Sequence, residues 1–172
     1  EIGELRHIYS RQNPNKISVN RVHNKFNLAY WILPHEIDLL NWFLQDSVEY
    51  VYTVTRTKLK SKDDYLVVHL HFKKGTDAII ECSWTAPPLS SKYTNCRMEI
   101  RGTEGSIDID STSMDVDIFT KENRVNSPET YEYYNVNGSY FGLFYNLVDH
   151  FVKCIIYDKT PLVGIEEAYK TI

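Results

Sequence analysis

The segment Tyr30-Trp31-Ile32-Leu33-Pro34-His35-Glu36-Ile37-Asp38-Leu39-Leu40-Asn41-Trp42 holds the residue types best suited to chemistry in this 172-residue chain. Imidazole changes charge between about pH 5 and 8, so His35 is a candidate general base. On a helix His35, Asp38 and Trp42 stack along one side. Leu33, Ile37, Leu40 and Leu44 recur at i, i+4, i+7 and i+11 along another, which predicts an amphipathic helix ending at Asp46-Ser47. Proline is tolerated only at a helix start, so Pro34 is expected as the first helical residue, with 28–33 as a separate turn. His35 then lies in the first turn, beside the positive end of the helix dipole, which favours the neutral ring a base requires. The opposing reading is a hydrogen-bonded, inert helix histidine, and the spacing alone leaves both open. Asp38 reads as structural, holding a neighbouring backbone or side chain.

Other candidates are weaker. His69 and His71 share a strand face two residues apart, as a metal pair would, but no third ligand stands at a recognisable spacing and no metal is expected. Cys82, Cys96 and Cys154 show neither CxxC nor zinc-ligand spacing and read as small buried hydrophobes in a reducing, cytoplasmic compartment. Asn137-Gly138-Ser139 fits a glycosylation acceptor, yet Asn-Gly is first a turn signal.

The elements that must position these residues read mainly as strands. Over Gly3 to Gln12, Leu5, His7, Tyr9 and Arg11 alternate with Arg6, Ile8, Ser10 and Gln12, ending at Asn13-Pro14-Asn15. β-Branched and aromatic runs follow at Val48–Lys58, Tyr65–Lys73, Thr76–Trp84, Arg97–Arg101, Ser106–Asp110, Met114–Thr120 and Tyr131–Asn135. Turns are expected at Lys74-Gly75, Gly102–Gly105 and Glu122-Asn123, with Pro87–Ser91 as the longest loop. Short strands joined by short turns predict an antiparallel meander rather than βαβ units. A second helix is expected through Phe144, Leu147, Val148, Phe151, Cys154 and Ile155, and a third near Gly164. The fold class expected is α+β: an open-faced, mostly antiparallel sheet with helices packed on one face. One domain is expected over 1–172. Its other face, rich in Tyr and Trp, is of the kind that meets a partner or another copy of itself.

Composition narrows the function classes. Hydrophobic residues make up 42% and charged residues 24%, which is globular and not disordered. Lys plus Arg is 19 against 23 for Asp plus Glu, a net charge of −4 without a basic run, so nucleic acid is not an expected partner. The apolar stretches are broken by His35, Glu36 and Asp38 or by Asp149, His150 and Lys153, so no membrane partner is expected either. No GxGxxG turn occurs, so tight dinucleotide binding by these residues is not expected.

Four segments resemble, in order, motifs of the C-terminal domain of the Gfo/Idh/MocA oxidoreductases, the glucose–fructose oxidoreductase and inositol dehydrogenase family. Ile2-Gly3-Glu4 with Arg11-Gln12-Asn13-Pro14 resembles the first strand, and His35–Trp42 resembles the His-x-x-Asp helix. Glu99–Ser106 resembles the "E-I-x-G-x-x-G" hairpin, and Pro161–Ala168 the segment before the last helix. The resemblance implies a substrate-binding and oligomerisation domain whose N-terminal Rossmann domain, carrying NAD or NADP and the catalytic lysine, lies outside these residues. It implies a sugar or polyol substrate and a homo-oligomer formed through the open sheet face. Carried over residue by residue, His35 matches the catalytic histidine that moves the hydroxyl proton, and Asn13 a substrate-side asparagine. Where the family usually has aspartate four residues before the histidine, this chain has Trp31. Tyr30 and Trp31 then form an aromatic wall for a sugar ring, or the site is catalytically altered. Trp84 and Tyr140 are further substrate-side candidates, for which ordinary packing is an equal reading. The alternative function is a non-catalytic ligand-binding or scaffold protein that retains the sheet.

Overall fold

The computed structural model describes residues 2–14, 26–56, 65–84, 94–110, 118–119, 124–125 and 134–171. The chain divides into two compact units, one comprising Glu1–Ser113 with Thr171–Ile172 and the other Met114–Lys170.

The first unit holds a six-stranded sheet and two helices. In chain order these are β1 (Leu5–Pro14), α1 (Leu28–Trp31), α2 (Leu33–Leu44), β2 (Val48–Arg56), β3 (Tyr65–Phe72), β4 (Asp77–Ser83), β5 (Thr94–Gly102) and β6 (Ser106–Asp110). The strands lie in the order β2-β3-β4-β1-β5-β6. Every pairing is antiparallel except one: β1 runs parallel to β4 and antiparallel to β5. The α+β class and the mostly antiparallel sheet are as expected, but the uninterrupted meander is corrected. Between β1 and β2 the chain crosses the sheet as α1 and α2 and re-enters at the far edge. The meander β2-β3-β4 then works back until β4 meets β1 in parallel, and β5 closes on the other side.

Alternation sorts the strand side chains onto two faces. On the helix side Ile8 pairs with Ala78 and Ile100, and Ser10 with Ile80 and Met98. Leu66, Val68, Leu70 and Phe72 of β3 complete that face, and Leu28, Ile32 and Leu40 from the helices cover it, all buried. The opposite face carries Tyr50, Tyr52 and Val54 of β2, His69 and His71 of β3, Ile79 and Glu81 of β4, Tyr9, Arg11 and Asn13 of β1, and Arg97 and Glu99 of β5.

α2 begins at Leu33, one residue before the expected start, with Pro34 still in the opening positions where a missing N–H costs nothing. Residues 28–31 form the separate turn, capped by the Asn27 side chain, which accepts from the Tyr30 amide at 3.0 Å. Two sequence motifs about a hundred residues apart meet at the sheet's end. The Thr103 and Glu104 amides donate to the Glu4 and Ile2 carbonyls at 2.9 and 3.0 Å. A Cβ on Gly102 would stand 2.0 Å from the Ile2 carbonyl oxygen, so only glycine admits this approach.

The second unit contains the short strand pair β7 (Ile118–Phe119) and β8 (Arg124–Val125), the hairpin β9 (Tyr134–Val136) and β10 (Ser139–Phe141), and helices α3 (Leu143–Ile156) and α4 (Ile165–Thr171), whose last residue groups with the first unit. Asn137 and Gly138 turn the hairpin with φ of +50° and +86°, the two left-handed residues of a two-residue loop. The turn expected at Glu122-Asn123 and the Pro87–Ser91 loop lie outside the described residues.

Candidate functional site

The start of α2 positions His35. The His35 amide donates to the Ile32 carbonyl at 3.1 Å, and its side chain is exposed. Trp42 shares this outward side, and Asp38 accepts from the Thr171 hydroxyl at 3.2 Å, a structural contact within the first unit. Tyr30, on α1, is exposed. Trp31 is half-buried and meets Trp84 edge-on, with ring centroids 6.0 Å apart at 62°. Trp84 itself is 1% exposed and belongs to the core.

The remaining candidates lie elsewhere. Asn13 is on the open face of the sheet, where its amide donates to Glu81 at 3.2 Å, so the sheet separates it from the helix side. Glu81 also accepts from the Tyr9 hydroxyl at 2.7 Å, and burial, then this carboxylate, pushes the phenol up to about 12. Tyr140 is in β10 of the second unit. The structure therefore brings Trp31 and Trp84 together, keeps Tyr30 and His35 on the consecutive helices α1 and α2, and sets Asn13 apart.

The spacing of polar residues missed one feature. Glu36 is 5% exposed and Ser10 is 2% exposed, and the Ser10 hydroxyl donates to the Glu36 carboxyl. Burial holds the Glu36 proton affinity above the usual carboxylate range, although the Ser10 hydroxyl and His35 act the other way. Ile32, Glu36 and Leu40 stand at i, i+4 and i+8, so a glutamate occupies the middle of the helix's buried line. That period was the available signal. Cys82, on the neighbouring strand and wholly buried, faces the same carboxyl, and burial pushes its thiol up.

His69 and His71 share one carboxylate. His69 Nε2 and His71 Nδ1 lie 2.7 and 2.8 Å from Asp77 Oδ1, and these bonds, His71 first, hold Asp77 below the usual carboxylate range. Tyr50 stacks on His71 with centroids 4.6 Å apart. Among the described residues no group of three or more His, Cys, Asp or Glu side chains could hold a metal ion, and no helix is long and apolar enough to cross a membrane.

Solved structures share this architecture. The myo-inositol 2-dehydrogenase of Lactobacillus plantarum superposes with a TM-score of 0.72 at 18% identity, over 99% of this chain and 52% of that one. The scyllo-inositol dehydrogenase of Lactobacillus casei, with bound NAD(H) and scyllo-inositol, gives 0.72 at 14% over 99% and 52%. The UDP-N-acetylglucosamine 3-dehydrogenase of Acidithiobacillus ferrooxidans gives 0.70 at 13% over 99% and 51%. The chain thus spans about half the length of these structures. No curated protein matches it. A family model covers residues 1–108, which contain β1, the His35 helix and the Gly102–Gly105 turn just described. On that match the chain belongs to the GFO/IDH/MocA C-terminal domain family.

Proposed function

We propose that this chain is the substrate-binding and oligomerisation domain of an NAD(P)-dependent dehydrogenase acting on a CH–OH group of a sugar or polyol. The observation that carries this reading is His35: an exposed imidazole at the start of α2, in the family's His-x-x-Asp helix, next to the aromatic residues of α1. Its role is to take the hydroxyl proton of the substrate while Tyr30 offers a face to the ring. The seven glycines include no GxGxxG turn, so these residues do not fit a dinucleotide. The cofactor belongs to an N-terminal Rossmann domain, and the part played here is confined to the substrate. A cytoplasmic setting agrees with Cys82 and Cys154 as small buried thiols.

The assay is direct. The full-length protein, supplied with NAD⁺ or NADP⁺ and a panel of sugars and polyols, is expected to reduce one of the two in a substrate-dependent way. A second reading, a ligand-binding or scaffold protein, is favoured by one observation: the position of the family aspartate is taken by Trp31, which packs on Trp84. Ligand binding without any turnover would select it.

The open face supports the oligomerisation role. Tyr50, Tyr52, Val54 and Ile79 are exposed there at 52%, 65%, 36% and 43%, an apolar and aromatic patch suited to an interface. Of the cations that could shield it, Arg97 lies against Glu99 at 2.8 Å. Sedimentation of the chain at micromolar concentration is expected to show a dimer or larger species burying at least about 1,000 Å². Tyr52→Asp is expected to dissociate it. A monomer at all concentrations would count against the assembly role.

A further inference from the structure

We propose that Glu36 is the positioning residue of the His35 site: tied to Ser10 on the sheet's central strand, it fixes the first turn of α2 and so the place of His35. The inference rests on the reading of His35 as the proton-transfer group. Three observations support it.

The first is placement. Glu36 and Ser10 meet among Ile8, Ile32, Leu40 and Ile80, where apolar side chains are the default. An apolar pair at such a site is about as stabilising as a hydrogen-bonded one, because folding only exchanges bonds to water for bonds within the protein. What the polar pair adds is direction. Greasy contacts tolerate rotation of a helix about its axis, whereas one short donor–acceptor contact does not.

The second is the lack of a side-chain cap. Ile32 caps α2 without a side-chain hydrogen bond, and Pro34 has no N–H to donate. The turn that carries His35 is therefore not held by the usual capping contacts. His35 and Glu36 are consecutive, about 100° apart around the helix. Setting one against the sheet sets the other outward.

The third is charge. The titratable groups that face Glu36 are Cys82 from β4 and His35 on its own helix, with the Ser10 hydroxyl from β1. Among the described residues no Lys or Arg pairs with it. Ionisation thus places an uncompensated charge in an apolar site and drives the carboxylate toward water. Because burial raises the folded proton affinity and outweighs the Ser10 bond, which favours the ionised form, the stability this site contributes is present below the unfolded carboxyl value of about 4.3 and is lost as pH climbs through the folded value.

The test is NMR of the isotope-labelled chain, following the Glu36 carboxyl, the His35 ring and the amides of Leu33, His35 and Glu36 across pH. In the wild type, the His35 ring and these amides are expected to show an inflection that coincides with the Glu36 titration. Glu36→Gln keeps the hydrogen bond and cannot ionise. It is expected to abolish that inflection and hold the amides at their low-pH positions. Ser10→Ala and Glu36→Ala are expected to displace them at every pH, and should Glu36→Ala not fold, the other two variants decide. An unchanged His35 inflection in Glu36→Gln, or unmoved amides in Ser10→Ala, would overturn the proposal. No step uses catalysis, so failure here is separate from failure of the reading of His35, which rests on turnover of the full-length protein.

Discussion

In the full-length protein, His35→Ala is expected to lower kcat by about 10²–10⁴-fold, the usual contribution of a positioned acid–base group. Affinity for the nucleotide is expected to change little, because no residue described here forms a dinucleotide cradle. The loss is expected to shrink as pH rises, since hydroxide then takes over part of the proton removal. His35→Gln discriminates further: an amide can still hydrogen-bond a hydroxyl yet cannot take its proton, so it should rescue KM more than kcat. Near-normal turnover in the alanine variant would make His35 the inert helix histidine that its exposed position also allows.

Trp84→Ala is expected to destabilise the first unit by about 3–5 kcal/mol, the range for removing a large aromatic from a core. Domains of this size have about 5–15 kcal/mol in all, so the variant stands near the limit of folding. The reason is geometric. Trp84 is 1% exposed, joins Cys82 at the end of β4, and supports Trp31 edge-on. Urea unfolding followed by far-UV circular dichroism measures the loss. If Trp84 lined an open sugar pocket instead, truncation would weaken ligand binding and leave the midpoint where it was. Trp84→Phe, which keeps an aromatic edge for Trp31, is expected to cost less than half as much.

The residues explain which parts of this structure were legible in advance. Leu33, Ile37, Leu40 and Leu44 announce α2, and Pro34 marks its start to within one residue, because both signals are local. The face occupied by Asn13 was open to counting: Ile8 and Ser10 are buried, so Tyr9, Arg11 and Asn13 share the opposite side. Strand order was not legible. Whether β4 meets β1 depends on where α1 and α2 deliver the chain, and no residue in β4 encodes a parallel neighbour. Glu36 was hidden for another reason. A glutamate in a helix's first turn reads as a solvated, dipole-stabilising charge, and the line from Ile32 to Leu40 that runs through it competes with the more regular stripe of Leu33, Ile37, Leu40 and Leu44.

The central position of β1 bears on how the chain reaches this state. Ile8 pairs with Ala78 and Ile100, 70 and 92 residues further along. Closing loops of that length costs chain entropy before any contact repays it, whereas β2, β3 and β4 pair with near neighbours. The early-forming part of the sheet is therefore the three-stranded meander, with β5 and β6 as a separate hairpin. Until β1 docks between them, the two pieces present four unsatisfied strand edges in place of the two of the finished sheet. During synthesis the first strand of this sheet to leave the ribosome is thus the last to find its partners, and the interval in which foreign strands can take its place lasts until Gly102 has emerged.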